Sequence, residues 1–241
     1  MTIDPLLLEP IADRAWPAAQ RGRLGGWLLN ASAGFSGRIN ACWPLGDPGL
    51  PVRNAVEVAE GWYAARGLPP LFKPVDGAAD PALIAELERR GYAPRTPTLM
   101  MVGPLDAAGG RARVTGSPDD GFAAVFTAAQ GDPADAEERM GAFRRIAPPR
   151  FFARADVDGE PAAIGGSAVE GEWAGLFGMR TAPAHRRKGL AREVVGALVA
   201  AARGAGATRG YLQVEASNAP AIALYEGFGF ATAYRYRYWA R

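Results

Sequence analysis

One cysteine, Cys42, is all that the chain contains, so no disulfide can close within it. Beside Trp43 it is expected to be a buried small hydrophobe. There is likewise one histidine, His185. That excludes a multi-histidine metal site, and a Ser-His-Asp or Cys-His centre would have to use His185 itself; no metal is expected. Lysine is scarce, with Lys73 and Lys188 the two that occur. The remaining basic residues are arginine, and with the abundance of Ala, Gly and Pro this points to base bias in the coding sequence rather than to function. An excess of either charge is missing: 27 basic residues stand against 25 acidic ones, net +2, which gives no global field for nucleic acid or a membrane. Long apolar runs are missing too. The longest, over 194–202, is far short of a bilayer span. The opening segment, with Asp4 and Glu9 around Leu6-Leu7-Leu8, lacks the basic start and longer apolar core of a signal peptide. The expectation is a soluble, cytoplasmic protein, monomer or homodimer, with no nucleic-acid or membrane partner.

What is present centres on residues 176–202. An apolar strand runs to Arg180 and Pro183 marks a turn. His185, Arg186, Arg187 and Lys188 follow, then Gly189, then a helix whose apolar positions Leu190, Val194, Val195, Leu198 and Val199 recur at helical spacing. Gly189 and Ala191 put little side chain between a ligand and the backbone of the first turn. Free N–H groups, the positive end of the helix dipole and clustered cations together favour an anion, and a pyrophosphate suits the span.

Downstream, Arg209-Gly210-Tyr211-Leu212-Gln213-Val214-Glu215 reads as a strand. Asn218 then caps a helix with Pro220 in its first turn and Gly229 at its stop. The spacings Arg186-x-x-Gly189-x-Ala191 and Asn218-x-x-Ala221-x-x-Leu224-Tyr225-x-x-x-Gly229-Phe230, in that order, resemble the two signatures of the GNAT acetyltransferases. The resemblance covers about 113–241. It implies an α/β class with a mixed α+β sheet, the acyl-CoA N-acyltransferase fold, and acetyl-CoA as co-substrate for direct transfer of an acetyl group to a primary amine. Backbone around Phe177, Gly178, Met179 and Thr181 would hold the pantetheine arm. Arg186, Arg187, Lys188, Gly189, Leu190 and Ala191 would hold the pyrophosphate, with Asn218 near the pantetheine end. Tyr225 would give a proton to the leaving thiolate; the other reading of Tyr225 is a core aromatic.

The base is open among Glu170, Glu172 and Glu215, a water, or an amine that binds already neutral. His185 reads as a loop cap. Tyr234, Tyr236 and Tyr238 alternate on one strand face, either to line an acceptor pocket or simply to pack. The acceptor is unspecified, a small-molecule or a protein amine. The alternative from another class is a non-catalytic acyl-CoA-binding sensor.

The first hundred residues read as a short helix and loop over 10–23, strands over 26–31 and 38–43 joined by a turn at 34–37, a helix over 52–65, a strand over 71–75, a helix over 80–90 and a strand over 98–102. The second half reads as a strand from Arg113, helices over 119–129 and 134–145, a hairpin of 151–156 with 162–169 around Asp158-Gly159, and a strand over 173–179. The parallel order suggests a duplicated GNAT-like unit, 1–105 without a CoA loop and 106–241 with one, joined by a linker over 103–110. Where the second half offers arginines, the first has Gly46-Asp47-Pro48-Gly49.

Overall fold

The computed structural model describes residues 3–106, 109–128 and 133–241. Ala107 and Ala108 of the expected linker, and Ala129 at the expected end of a helix, lie outside the described residues. The chain divides into two compact units, one of Met1–Leu99 with Glu215–Ser217 and Ala233–Arg241, the other of Met100–Val214 with Asn218–Thr232.

In the first unit, α1 (Pro5–Ala15) starts at Asp4, whose carboxylate accepts from the Leu6 N–H at 2.9 Å, with Pro5 in the first turn. The helix begins earlier than the sequence reading and runs through Pro10, which lies close enough to the start to forfeit one ladder bond. The loop expected next is in fact β1 (Gln20–Leu24), which pairs with β2 (Trp27–Ala31) across the two-residue Gly25-Gly26 turn; β2 pairs in turn with β3 (Cys42–Pro44). Gly25 takes a φ of 51°, as such a turn requires. The strand expected over 38–43 shortens to β3, because Gly37–Ile39 closes a 3-10 turn first. That expected over 71–75 is reduced to single bridges at Phe72 and Val75. Helices α2 (Val52–Ala64) and α3 (Pro81–Arg89) follow, the latter capped by Asp80. Their inner faces supply Ala55, Val56, Ala59, Tyr63, Leu83 and Leu87 to a core shared with Trp27, Leu29, Phe72 and a buried Cys42.

This core is flanked by an ion pair. Lys73 and Glu9 join with both side chains fully buried. The Lys73 ammonium lies 3.7 Å from the Trp43 ring centroid and 4.0 Å from that of Tyr236, and Tyr234 Oη donates to Glu9 Oε1 at 2.9 Å. Burial draws the Lys73 ammonium below its usual range, with Glu9 pulling the other way. Tyr234 and Tyr236 are therefore packing and pairing groups of this cluster.

The strand β4 (Ala93–Pro104) leads on to β5 (Arg113–Thr115), α4 (Asp120–Thr127), α5 (Pro133–Arg145), β6 (Arg150–Val157), β7 (Glu160–Glu170), β8 (Trp173–Thr181), α6 (Leu190–Gly204), β9 (Arg209–Glu215), α7 (Ala219–Glu226) and β10 (Ala231–Ala240). The sheet order is β10-β4-β9-β8-β7-β6-β5. From β5 to β8 the pairing is antiparallel, and β8 to β9 is parallel. Glycines in β7 let both faces close in. A Cβ on Gly165 would meet Met179, Val194 and Leu198, so α6 covers that face; a Cβ on Gly166 would meet Phe177 and Phe152 on the other. There Phe122, Phe126, Phe143 and Phe152 form an edge-to-face cluster, with centroids 4.6 Å apart for Phe126–Phe143 and 5.1 Å for Phe122–Phe143.

The linker reading of 103–110 needs correction at its start. Gly103 and Pro104 end β4, and Gly103 is glycine because a Cβ would come within 2.8 Å of Phe230 Cα. Leu105 is buried. A fragment of residues 111–241 lacks β4 and leaves the β9 edge bare. It is expected to be insoluble or to melt well below the full chain, which a thermal unfolding scan of both will show.

Candidate functional site

β8 carries an extra residue. Gly166 pairs with Phe177 but Ile164 pairs with Arg180, so two steps on β7 answer three on β8. The bulge is taken up at Gly178, with φ 64°, where a Cβ would also strike Phe143 at 2.7 Å. On the other side, β8 and β9 pair from Trp173↔Arg209 to Leu176↔Leu212 and then part. Among the described residues no ladder partner meets Gly178–Arg180 from β9, so that backbone edge is open to an extended ligand. The Phe177 side chain is buried, 6.4 Å from the Phe143 ring centroid.

The open edge leads into a loop. Pro183–His185 makes a 3-10 turn, Arg186 Nε reaches back to the Thr181 carbonyl at 3.4 Å, and Arg186, Arg187, Lys188 and Gly189 are exposed. Arg187 and Gly189 both have positive φ, 62° and 79°. Gly189 is the N-cap of α6 and no side chain caps the helix. Left-handed residues just before a helix start that no side chain caps are a backbone arrangement suited to an anion. A Cβ at Gly189 would meet nothing within 4 Å, so this glycine serves conformation and access, not packing.

Helix α7 lies near the same end of α6. Arg192, in the first turn of α6, stacks 4.9 Å from the Phe228 ring centroid just past α7. Asn218 caps α7, its Oδ1 accepting from the Ala221 N–H at 3.3 Å. Tyr225 is buried on α7 with its ring 6.3 Å from that of Phe230, and the Tyr225 carbonyl accepts from Phe228 and Phe230 to close the turn after the helix, where Gly229 has φ 82°.

The three candidate bases separate. Glu215 ends β9, at the end where the strands part. Glu170 and Glu172 flank the β7–β8 turn, at the opposite end of β8 from the loop. The Glu172 carbonyl accepts from Thr208 and Arg209 at 3.0 Å each, closing the start of β9, and its exposed carboxylate lies 3.8 Å from Arg209. The structure does not bring Glu172 to the loop. Sequence reasoning missed Arg192 and the Gly165-Gly166 pair; two glycines inside a strand pattern were the available signal of close approach.

A mixed sheet whose two central parallel strands part above a basic, uncapped helix start is the fold of the GNAT N-acetyltransferases. A GCN5-related N-acetyltransferase from Kribbella flavida superposes with a TM-score of 0.72 at 20% identity, covering 100% of this chain and 96% of that one. The chain belongs to the family described as probable histone acetyltransferase Rv0428c C-terminal, which matches residues 6–239. It is 27% identical over 240 residues to a Bacillus subtilis protein named uncharacterized N-acetyltransferase YobR, with 96% of each covered. It is 30% identical over 238 residues to the probable histone acetyltransferase Rv0428c of Mycobacterium tuberculosis, covering 96% of this chain and 72% of that protein.

Proposed function

We propose that this protein transfers an acetyl group from acetyl-CoA directly to a primary amine. The observation that carries the reading is the parting of β8 from β9, which runs an open backbone edge straight into the cradle at Arg187–Gly189. Bound acetyl-CoA supplies an acetyl group already activated as a thioester. The chain's part is positioning and proton handling. Backbone groups of Phe177, Gly178, Met179 and Thr181 hold the pantetheine arm. Arg186, Arg187, Lys188 and the N–H groups of Gly189, Leu190 and Ala191 hold the pyrophosphate. Asn218 stands at the α7 start toward the pantetheine end. Tyr225 Oη donates a proton to the departing sulfur, since a tyrosine is protonated at working pH and can serve as donor. Glu215 is the carboxylate proposed to accept the amine proton, supported by its place at the end of β9; Glu172 is not retained in that role.

Residues 106–241 are proposed as the catalytic unit and residues 1–105 as a GNAT-like unit that takes no CoA. Supporting this, the segment before α2 is filled by protein: Gly26 N–H donates to the Asp47 carbonyl at 2.7 Å, and the Asp47 carboxylate turns onto the Gly49 N–H at 2.8 Å.

Gly189→Glu should abolish acetyl-CoA binding by setting a negative charge against the pyrophosphate. Gly189→Gln carries the same backbone strain without the charge and should keep measurable affinity. Calorimetry on both variants reads the difference, and equal affinities would place the site elsewhere. Release of free CoA with a panel of amines then tests transfer; binding of acetyl-CoA with no release for any amine would favour the sensor reading instead.

A further inference from the structure

Arg180 is the penultimate residue of β8 and has no part in the cradle. Met179 faces α6, as the neighbours of Gly165 show, and Arg180 faces the other way, its guanidinium 4.8 Å from the Phe126 ring centroid on α4. It is half-buried. Among the described residues no carboxylate lies within ion-pair distance of it. Two other guanidinium groups on more deeply buried side chains are paired with carboxylates. Arg90 is held by Glu57, Glu60 and Glu86, and Arg154 by Asp119 and Asp156. The charge felt at Arg180 is instead another cation, Arg139 of α5, which is itself bonded to Asp135 at 3.0 Å. Burial and then Arg139 lower the Arg180 pKa. A half-buried guanidinium with a ring on one side keeps donors open to solvent, and an oxyanion binds such donors more strongly than water does.

That anion is distinct from the proposed CoA pyrophosphate, because α6 packs on the opposite sheet face through Val194 and Leu198. The position is one residue before Thr181, on the strand whose open edge is assigned to the pantetheine arm. We infer that Arg180 receives an anionic group, carboxylate or phosphate, of the acceptor, so that the acceptor is a small amine carrying an oxyanion rather than a lysine-rich peptide. The Arg180 charge disfavours a basic peptide here, and the planar fork of an arginine suits either oxyanion bidentately. This rests on the acetyltransferase reading above.

The test compares matched acceptors with the full-length protein and acetyl-CoA: glycine, β-alanine and 4-aminobutyrate against their amides, 2-aminoethyl phosphate against ethanolamine, and a Lys-Gly repeat peptide. At least one anionic member should exceed its neutral partner in kcat/KM by about tenfold or more, the scale of one charged hydrogen bond. The carboxylate and phosphate arms identify which oxyanion is read. Arg180→Gln should collapse the ratio by raising KM for the acceptor, with KM for acetyl-CoA and Tm little changed, and Arg180→Lys should restore part of it. A ratio indifferent to Arg180→Gln, a change in KM for acetyl-CoA instead, or preference for the peptide overturns the inference while leaving acetyl transfer standing. Should Arg180→Gln not fold, the ratio in Arg180→Lys decides, and an unaltered ratio there counts against it. No CoA release with any amine, despite binding of acetyl-CoA, removes both.

Discussion

Tyr225→Phe is expected to lower turnover by about ten- to a thousand-fold, the usual scale of a lost general acid, with acetyl-CoA affinity nearly unchanged. The substitution keeps the ring that faces Phe230 at 6.3 Å and removes only the hydroxyl. Tyr225 is buried on α7, so loss of its hydroxyl also costs about 0.5–1.5 kcal/mol of stability if that group is hydrogen-bonded. Turnover is therefore measured well below the variant's Tm and under conditions where chemistry is slower than product release. Turnover equal to the parent there excludes Tyr225 as the acid, and the packing reading of this side chain would stand.

The other large effect concerns stability. Lys73→Met strands the Glu9 carboxylate in a site with no solvent access and should cost about 3–5 kcal/mol. Tyr234 still donates to Glu9 Oε1, but one neutral donor does not replace an ammonium. The double variant Glu9→Leu/Lys73→Met should recover much of the loss, because the cost arises from an unpaired charge, not from the removed attraction. Recovery will be incomplete: the Tyr234 hydroxyl loses its acceptor, and Trp43 and Tyr236 lose the cation between them. Urea unfolding midpoints at constant m-value measure all three proteins. A Lys73→Met protein within about 1 kcal/mol of the parent would mean that water or a neutral pair serves this site.

The second half of the chain was legible because its signals are local. The Gly189 start of α6, the Asn218 cap of α7 and the Asp158-Gly159 turn between β6 and β7 each specify their element without help from elsewhere. The strand over 209–215 falls on β9 to the residue. In the first half the signals fail for physical reasons. β1 is Gln-Arg-Gly-Arg-Leu, an edge strand with exposed arginines and no β-branched residue, so it has neither the period nor the propensity of a strand. The Gly25-Gly26 turn did announce a hairpin, and reading Gly26 into the strand hid it. At 71–75 the apolar residues are buried, but single bridges to Cys42, Tyr236 and Trp239 replace a ladder, and no local pattern encodes that. Lys73 is the extreme case: a lysine carries no sequence mark of burial, and its partner Glu9 is 64 positions away. In the candidate site, the loop and the proposed acid came from motif spacing, whereas no spacing chose among the candidate bases. Glu172 and Glu215 both sit at strand ends, and which end matters only once β8 and β9 are known to run parallel.

The place of β4 in its sheet also governs the order in which this chain can fold. Its neighbours are β9 and β10, both encoded more than a hundred residues later. The β6–β7–β8 meander closes by short turns and can form as it leaves the ribosome. β4 is made before that meander and must wait through its synthesis with both edges unpaired. At about 5–20 residues per second that interval lasts many seconds, and pairing over such a separation is slow once its partners arrive. Met100 and Met101, buried in the finished strand, are exposed to other nascent chains throughout it. Aggregation during synthesis is therefore expected to depend on the strand made early and completed last.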